Sequence, residues 1–355
     1  MSVDHSNTIV TNIFMAASPP TRAGFGLLHI VDQDTNSLNG SRLTSYSSAT
    51  EVSAARTAGY ISATTEAFLL AAFSQSPPMA KIYVGYRDVS LAETWSTALA
   101  AIEAVNDKDW WGITSYSRVD ADIVSLAGLA EARKKFYFFQ SDDASILDAG
   151  LPAGISALAA NERTAGFYHS ADAQPGELAW AASRLIFNPD TISAAWTGPV
   201  AGVNAISSVT SSQRDGAIAN NVNIPLPFSS APFYVSPGVN MKGRPIGQIL
   251  TGDWFAARVA EDTAYLKLSA DMRGQKILTD VTGQTVVRGV LDKWLTIGKD
   301  AKHWPEGQYR SVPLPITDAD VLAERLRFNV EAQVAGSARN FEFNIFLQTT
   351  PLAAA

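Results

Sequence analysis

The chain contains no cysteine among its 355 residues, which removes disulfides, thiolate metal sites, cysteine nucleophiles and iron–sulfur clusters from consideration. Charge is scarce too. Asp, Glu, Lys and Arg make up 17% of the sequence, against about a quarter in ordinary soluble proteins. Only four histidines occur, so few imidazoles could serve catalysis or a metal. No basic residue precedes Arg22, so the charged start of a secretory signal is missing. No apolar run approaches the roughly 20 residues of a membrane-spanning helix, and the chain reads as cytosolic in the cell that makes it. With 34 acidic and 27 basic residues, a net charge of −7 and no basic cluster, the composition argues against nucleic acid and against an anionic membrane as partner.

Apolar residues are plentiful, at 46%, which excludes wholesale disorder. The length suits two domains, or one with extensions. Short, aromatic-rich apolar runs recur at Phe25–Val31, Ile82–Tyr86, Trp110–Tyr116, Phe136–Phe139 and Ala165–Tyr168. Continuous apolarity, rather than alternation, marks strands buried on both faces. Helical spacing lies between them: Trp95, Ala98, Leu99 and Ile102 after a Ser90/Glu93 capping box, then Ile123, Leu126, Ala127 and Ala130, then Leu178, Ala181, Ala182 and Leu185. Helices between apolar strands imply crossover connections. The expectation is an α/β domain with a mostly parallel sheet over 21–190.

Residues 191–240 are expected to form a charge-poor, irregular connector. Arg214 and Asp215 are the only charges between 191 and 241, and five prolines between 225 and 245 disfavour a helix or a central strand. An uncharged stretch of this length either lies on the α/β domain or is covered by a partner. A smaller α+β domain is expected over 241–340. A long helix over Asp253–Met272 opens it, and a stripe of Val287, Val290, Leu291 and Trp294 follows, ended by Gly298. Alternation then appears in Phe328, Val330, Ala332 and Val334, and again in Phe341, Phe343, Ile345 and Leu347, a hairpin-like signal. No internal repeat or low-complexity tract is present.

The search for chemistry is mostly negative. His5 and His29 read as structural. His169, Ser170 and Asp172 superficially resemble a triad, but neighbours at a strand end rarely point at one another and no G-x-S-x-G elbow exists. Gly24-Phe25-Gly26 opens a strand and lacks the third glycine of a dinucleotide loop. Asp32, Asp34 and Asn36 begin like a calcium loop, but Ser37 and Leu43 stand where Gly and Glu are required. Asp142-Asp143 and Asp318/Asp320 fit helix starts, and Trp110-Trp111 fit the core. The reading is of no catalytic, cofactor or metal residue.

What stands out is architectural. A β-prone segment, Thr8–Met15, precedes the first domain and is closed by Pro19-Pro20, and a second lies at the C-terminus. Unpaired strands are hazardous unless partnered. The candidate arm residues are Ile9, Thr11, Ile13 and Met15 in 1–20, and Phe341, Phe343, Ile345 and Leu347 in 341–355, though Val10 and Phe14 could equally face the core and 341–347 could be an internal strand. Strands inserted head-to-tail into neighbouring copies generate rings or helical filaments.

The chain resembles the contractile tail sheath proteins of tailed phages. The similar stretches are Tyr60–Arg87, with TTEAFLLAAFSQSPP feeding AKIYVGYRD, residues 121–143, residues 238–268 and residues 273–298. The resemblance implies a helical homopolymer of stacked six-fold rings around an inner tail tube, with the small C-terminal domain against the tube and the α/β domain outward. It implies strand exchange by both arms, baseplate and tail terminator proteins as further partners, and no cofactor. It also implies assembly in the host bacterial cytoplasm into a virion tail whose contraction drives the tube through the host envelope. The 253–272 helix is then the candidate tube contact. The other readings are an α/β hydrolase-like or nucleotide-using enzyme, and the sheath of a bacterial contractile injection machine.

Overall fold

The computed structural model of the protein describes residues 22–32, 37–148, 150–204, 206, 209–228 and 231–336. His5, Asp34, Asn36 and all eight arm residues lie outside them. The chain forms two compact units. One spans Gly24–Thr251 together with 334–336, and the other spans Gly252–Gln333 together with Arg22 and Ala23.

The larger unit is built on a nine-stranded sheet with the order β2-β3-β1-β4-β5-β6-β8-β9-β7. Its strands are β1 (Gly26–Asp32), β2 (Leu43–Tyr46), β3 (Ile82–Arg87), β4 (Trp110–Ser115), β5 (Phe136–Ser141), β6 (Thr164–Tyr168), β7 (Gly198–Pro199), β8 (Val222–Phe228) and β9 (Ala231–Ser236). All five apolar runs are parallel central strands, and each is paired in that sense with its neighbours from β3 to β8. Helices α1 (Ala49–Thr57), α2 (Ala63–Phe73) and α5 (Gly176–Leu185) cover one face, while α3 (Trp95–Val105), α4 (Asp120–Arg133) and α6 (Ser211–Ala219) cover the other. Successive residues of one strand feed opposite layers, as the pleat requires: Trp111, Phe136 and Phe138 enter the first, Trp110, Tyr137 and Phe139 the second. Side-chain oxygens cap the helix starts, Ser48 for α1, Ser62 for α2 and Thr94 for α3. Ser90 is not part of a capping box. Asp88 caps a short 3-10 turn at Val89–Leu91, and Glu93 is drawn instead into a 2.7 Å pair with Arg42. Gly24 and Gly26 serve close packing, since a Cβ on either would stand 2.6 or 2.7 Å from the Asp109 carbonyl oxygen.

The 191–240 stretch departs from its expectation as an irregular connector. It carries β7, α6, β8 and β9 and belongs to the larger unit. Its lack of charge follows from burial: Trp196, Val200, Val203, Ile206, Val222, Ile224 and Val235 are all in the core. Trp196 stacks on Phe138 at 5.3 Å and meets Trp180 edge-on at 5.8 Å. The prolines also find a physical place. Parallel pairing of β8 with β6 covers Val222 and Asn223 only, so Pro225 and Pro227 fall where, among the described residues, β8 pairs with β9 alone.

The smaller unit contains the remainder of α7 (Ile246–Met272), then α8 (Val281–Asp300), β10 (Tyr309–Pro313), α9 (Asp318–Leu322) and β11 (Phe328–Ala332). Trp254 is its centre, stacked on His303 at 4.5 Å and edge-on to Trp294 at 5.9 Å. Gly298 does not end α8; it lies inside the helix, where a Cβ would sit 2.1 Å from the Trp304 ring.

If the 191–240 stretch is core, Trp196→Ala should lower unfolding free energy by about 3–5 kcal/mol, measured by denaturant titration. A change within ~0.5 kcal/mol, as for a surface connector, would contradict this placement.

Candidate assembly interface

Two places could carry function: the carboxyl end of the parallel sheet, where α/β enzymes bind ligands, and the ribbon of the smaller unit.

The sheet reverses its winding between β1 and β4, and the crevice there is filled by the chain's own side chains. Arg118, just after β4, pairs with Glu177 at 2.8 Å and with Asp172 at 3.2 Å and lies 5.6 Å from the Phe68 ring. Glu177 stands fully buried in the first turn of α5, with no side-chain cap ahead of it. Burial pushes its carboxyl up, and Arg118 with the helix amides opposes this. Beneath the pair, His29 bonds Thr114 Oγ1 through Nδ1 at 3.0 Å and packs on Phe68. Burial, reinforced by the Arg118 charge, lowers its pKa from 6.5 to about 3. The triad-like trio is not assembled. The His169 ring accepts the Ala171 N–H at Nδ1 and meets the Asn204 carbonyl at Nε2, while Asp172 faces Arg118. Among the described residues no group of three or more His, Asp or Glu could hold a metal, and no helix is long and apolar enough to cross a membrane.

The ribbon is different. β10 and β11 pair antiparallel, with Tyr309 opposite Ala332 and Pro313 opposite Phe328. Gln333 N–H donates to Gln308 O and Leu314 N–H to Arg327 O. By the alternation of antiparallel ladders, Asn329 and Glu331 therefore face β10, and the backbone groups of Phe328, Val330 and Ala332 point away from it. Among the described residues no third strand joins either edge.

One face of the ribbon rests on α8. Ser311 Oγ meets Asp292 and Arg288, and Gln284 Nε2 donates to Leu314 O at 2.7 Å. This cover reaches β10 but not all of β11: Ser311 is buried, while Val330, opposite it, is 37% exposed. The crossover from β10 to β11 is locked by Asp320. It caps α9 with Thr317 and bonds Arg327 at 2.6 Å and Arg325 at 2.7 Å. The Arg327 and Thr317 bonds, then Arg325, hold its carboxyl far below the usual carboxylate range. A two-stranded ribbon is marginal alone; here α8 and the Asp320 lock hold it open-edged.

The alternation at Phe328, Val330 and Ala332 was legible from sequence, and β11 pairs with β10; the expected hairpin partner, 341–347, lies outside the described residues. β10 itself went unread because Tyr309–Pro313 (YRSVP) has little apolar signal. The arm residues Ile9, Thr11, Ile13, Met15, Phe341, Phe343, Ile345 and Leu347 lie outside the described residues, so none is placed against the ribbon.

Buried neutral His29 carries a sign for pH dependence. The unfolded chain takes up its proton below 6.5, the folded chain only near 3, so stability must fall as pH drops through that window. Between pH 7 and 5 this single group should cost about 2 kcal/mol. Urea titrations should show that loss in the wild type and a shallower slope in His29→Gln; equal slopes would contradict it.

No protein-family model matches the chain, and no curated protein matches it. Solved structures do. A chain of the anti-feeding prophage (AFP) baseplate, 6-fold symmetrised, superimposes with TM-score 0.67 at 13% identity, over 96% of this chain and 99% of that one. The AFP helical sheath in its contracted state gives 0.60 at 12%, over 96% and 99%. The sheath complex of an extracellular contractile injection system, PVC, in its contracted state gives 0.63 at 10%, over 98% and 99%. The resemblance to contractile tail sheath proteins thus holds at the level of the fold: this chain has, nearly end to end, the fold found in the AFP and PVC contractile sheaths.

Proposed function

We propose that the protein is the structural protomer of a contractile sheath, a subunit that polymerises helically and not an enzyme. The observation that carries this is the near end-to-end fold match to AFP and PVC sheath chains. The open-edged ribbon supplies the chemistry. Among the described residues two edges are unpaired, one on β10 and one on β11, and they correspond in number to two β-prone terminal segments. In this reading Ile9–Met15 of one neighbour and Phe341–Leu347 of another each add a strand. Each added backbone hydrogen bond contributes about 1 kcal/mol net, and covering the underside of β11 adds hydrophobic burial.

In the polymer, six copies form a ring and rings stack around an inner tube. The smaller unit lies inward, and its charged helix α7 faces the tube. The larger unit lies outward, and contraction increases the surface buried between larger units. Subunits move as rigid bodies while exchanged strands keep them linked. The energy is stored at assembly, so no nucleotide is required, and the filled switch-point crevice fits a unit that supplies shape and not catalysis. Baseplate and terminator proteins cap the two ends. The subunit would assemble in the bacterial cytoplasm, and its shortening would drive the tube through an envelope. The structures it matches include AFP and PVC assemblies, the latter an extracellular contractile injection system, which supports an injection machine beside the phage tail suggested by the sequence.

Negative-stain electron microscopy of the purified chain, alone and with its inner tube protein, tests this. The wild type should form hollow striated tubes. Deleting residues 1–16 should leave a folded protein without long tubes. Val330→Pro removes an N–H that points away from β10, so folding should survive while tube formation falls at least tenfold. Uniform small particles under every condition would overturn the sheath reading; normal tubes from both variants would overturn the strand exchange.

A further inference from the structure

The two long helices of the smaller unit leave a groove between their less buried halves. One stretch, of about 480 Å³, is lined by Arg22, Asp262, Tyr265, Leu266, Val286 and Val290 among others. A second, of about 310 Å³, extends to Ile277 and Leu278. They share Leu266, Ser269, Arg273 and Val286, so they form one trough. Its apolar walls are open: Val286 is 45% exposed and Leu278 51%.

The chain itself enters this trough. Ala23 is stapled to α7, its N–H donating to Glu261 Oε1 and its carbonyl accepting from Arg258 at 3.1 Å. Arg22, one residue earlier, meets Asp262 at 3.8 Å and lies 5.2 Å from the Trp294 ring. Towards the N-terminus, therefore, the contacts move from Arg258 to Asp262, in the direction of Tyr265, Leu266 and Ser269. Arg22, the first described residue, itself lines the groove.

We propose that in the unassembled protein residues 13–21 fold back into the groove between α7 and α8 of the same molecule. The chemistry fits. Ser6–Thr21 carries no charge, so none must be desolvated. Pro19 and Pro20 lack N–H groups that would need partners and lose little entropy on docking. The length fits as well. From Asp262 to Arg273 is about 16 Å at 1.5 Å per residue, and five extended residues, Ala17–Thr21, cover about the same distance at ~3.3 Å each. Ile13, Phe14 and Met15 then reach Leu278 and Val286. Docking there would shield a β-prone segment until a partner edge is available. This contact belongs to the free monomer and does not depend on the sheath reading.

Freedom from native cysteine makes the test direct. In full-length protein, Met15→Cys is combined with Val286→Cys, in the groove, or with Thr285→Cys, one position round the helix and exposed. A tethered but undocked arm would reach both at similar rates. Docking should make intrachain oxidation to position 286 at least tenfold faster than to 285, independent of protein concentration; equal rates, or disulfides only between chains, would overturn the proposal. Hydrogen exchange gives a second reading. Ile13→Ser/Phe14→Ser/Met15→Ser in the full chain should speed exchange at least tenfold in 265–273 and 286–290, and unchanged exchange would overturn it. Neither readout involves tubes, so failure here is distinguishable from failure of the sheath reading.

Discussion

A strand edge left unpaired among the described residues is the constraint on which the rest of this structure depends. Phe328, Val330 and Ala332 direct backbone N–H and C=O groups away from β10, and the cover from α8 leaves Val330 of β11 37% exposed. Such an edge pairs with whatever strand comes near. The chain keeps it defined and does not blunt it: Asp320 ties Thr317, Arg325 and Arg327 into one lock at the start of β11, and Ser311 and Gln284 fix β10 and its exit to α8. Rigidity in the receiving edge lowers the ordering cost that an incoming strand must offset.

The larger unit is built on the opposite principle. Its parallel strands are buried on both faces, its charge-poor segment is folded into the core through Trp196, and the crevice where its winding reverses is plugged by Arg118, Glu177 and His29. Removing one partner of a buried pair such as Arg118–Glu177 typically costs about 3–5 kcal/mol, so the plug resists opening. A unit sealed in this way can move as a body.

Much of this was legible in the sequence, and the misses have physical causes. The five central strands declared themselves because double burial demands continuous apolarity, and Trp95, Ile123 and Leu178 marked their helices by spacing. The 191–240 stretch was misread because a lack of charge looks the same whether the cover is the chain's own core or a partner. Pro225 and Pro227 counted against a strand that tolerates them only because β6 stops pairing at Asn223. Gly298 looked like a helix end because sequence does not reveal that Trp304 folds over it. The plug at β1 and β4 was invisible, since Arg118 and Glu177 are 59 positions apart and share no motif. The open edge itself was half legible: alternation showed the strand but not its partner.

The most direct test is hydrogen exchange at Phe328, Val330 and Ala332, followed from free protein to assembled material. The account predicts fast exchange at these three amides in the monomer and at least hundredfold slowing on assembly, while Asn329 and Glu331, already bonded to β10, change far less. Fast exchange at all three in the assembled state would contradict strand addition to β11 and with it the central claim.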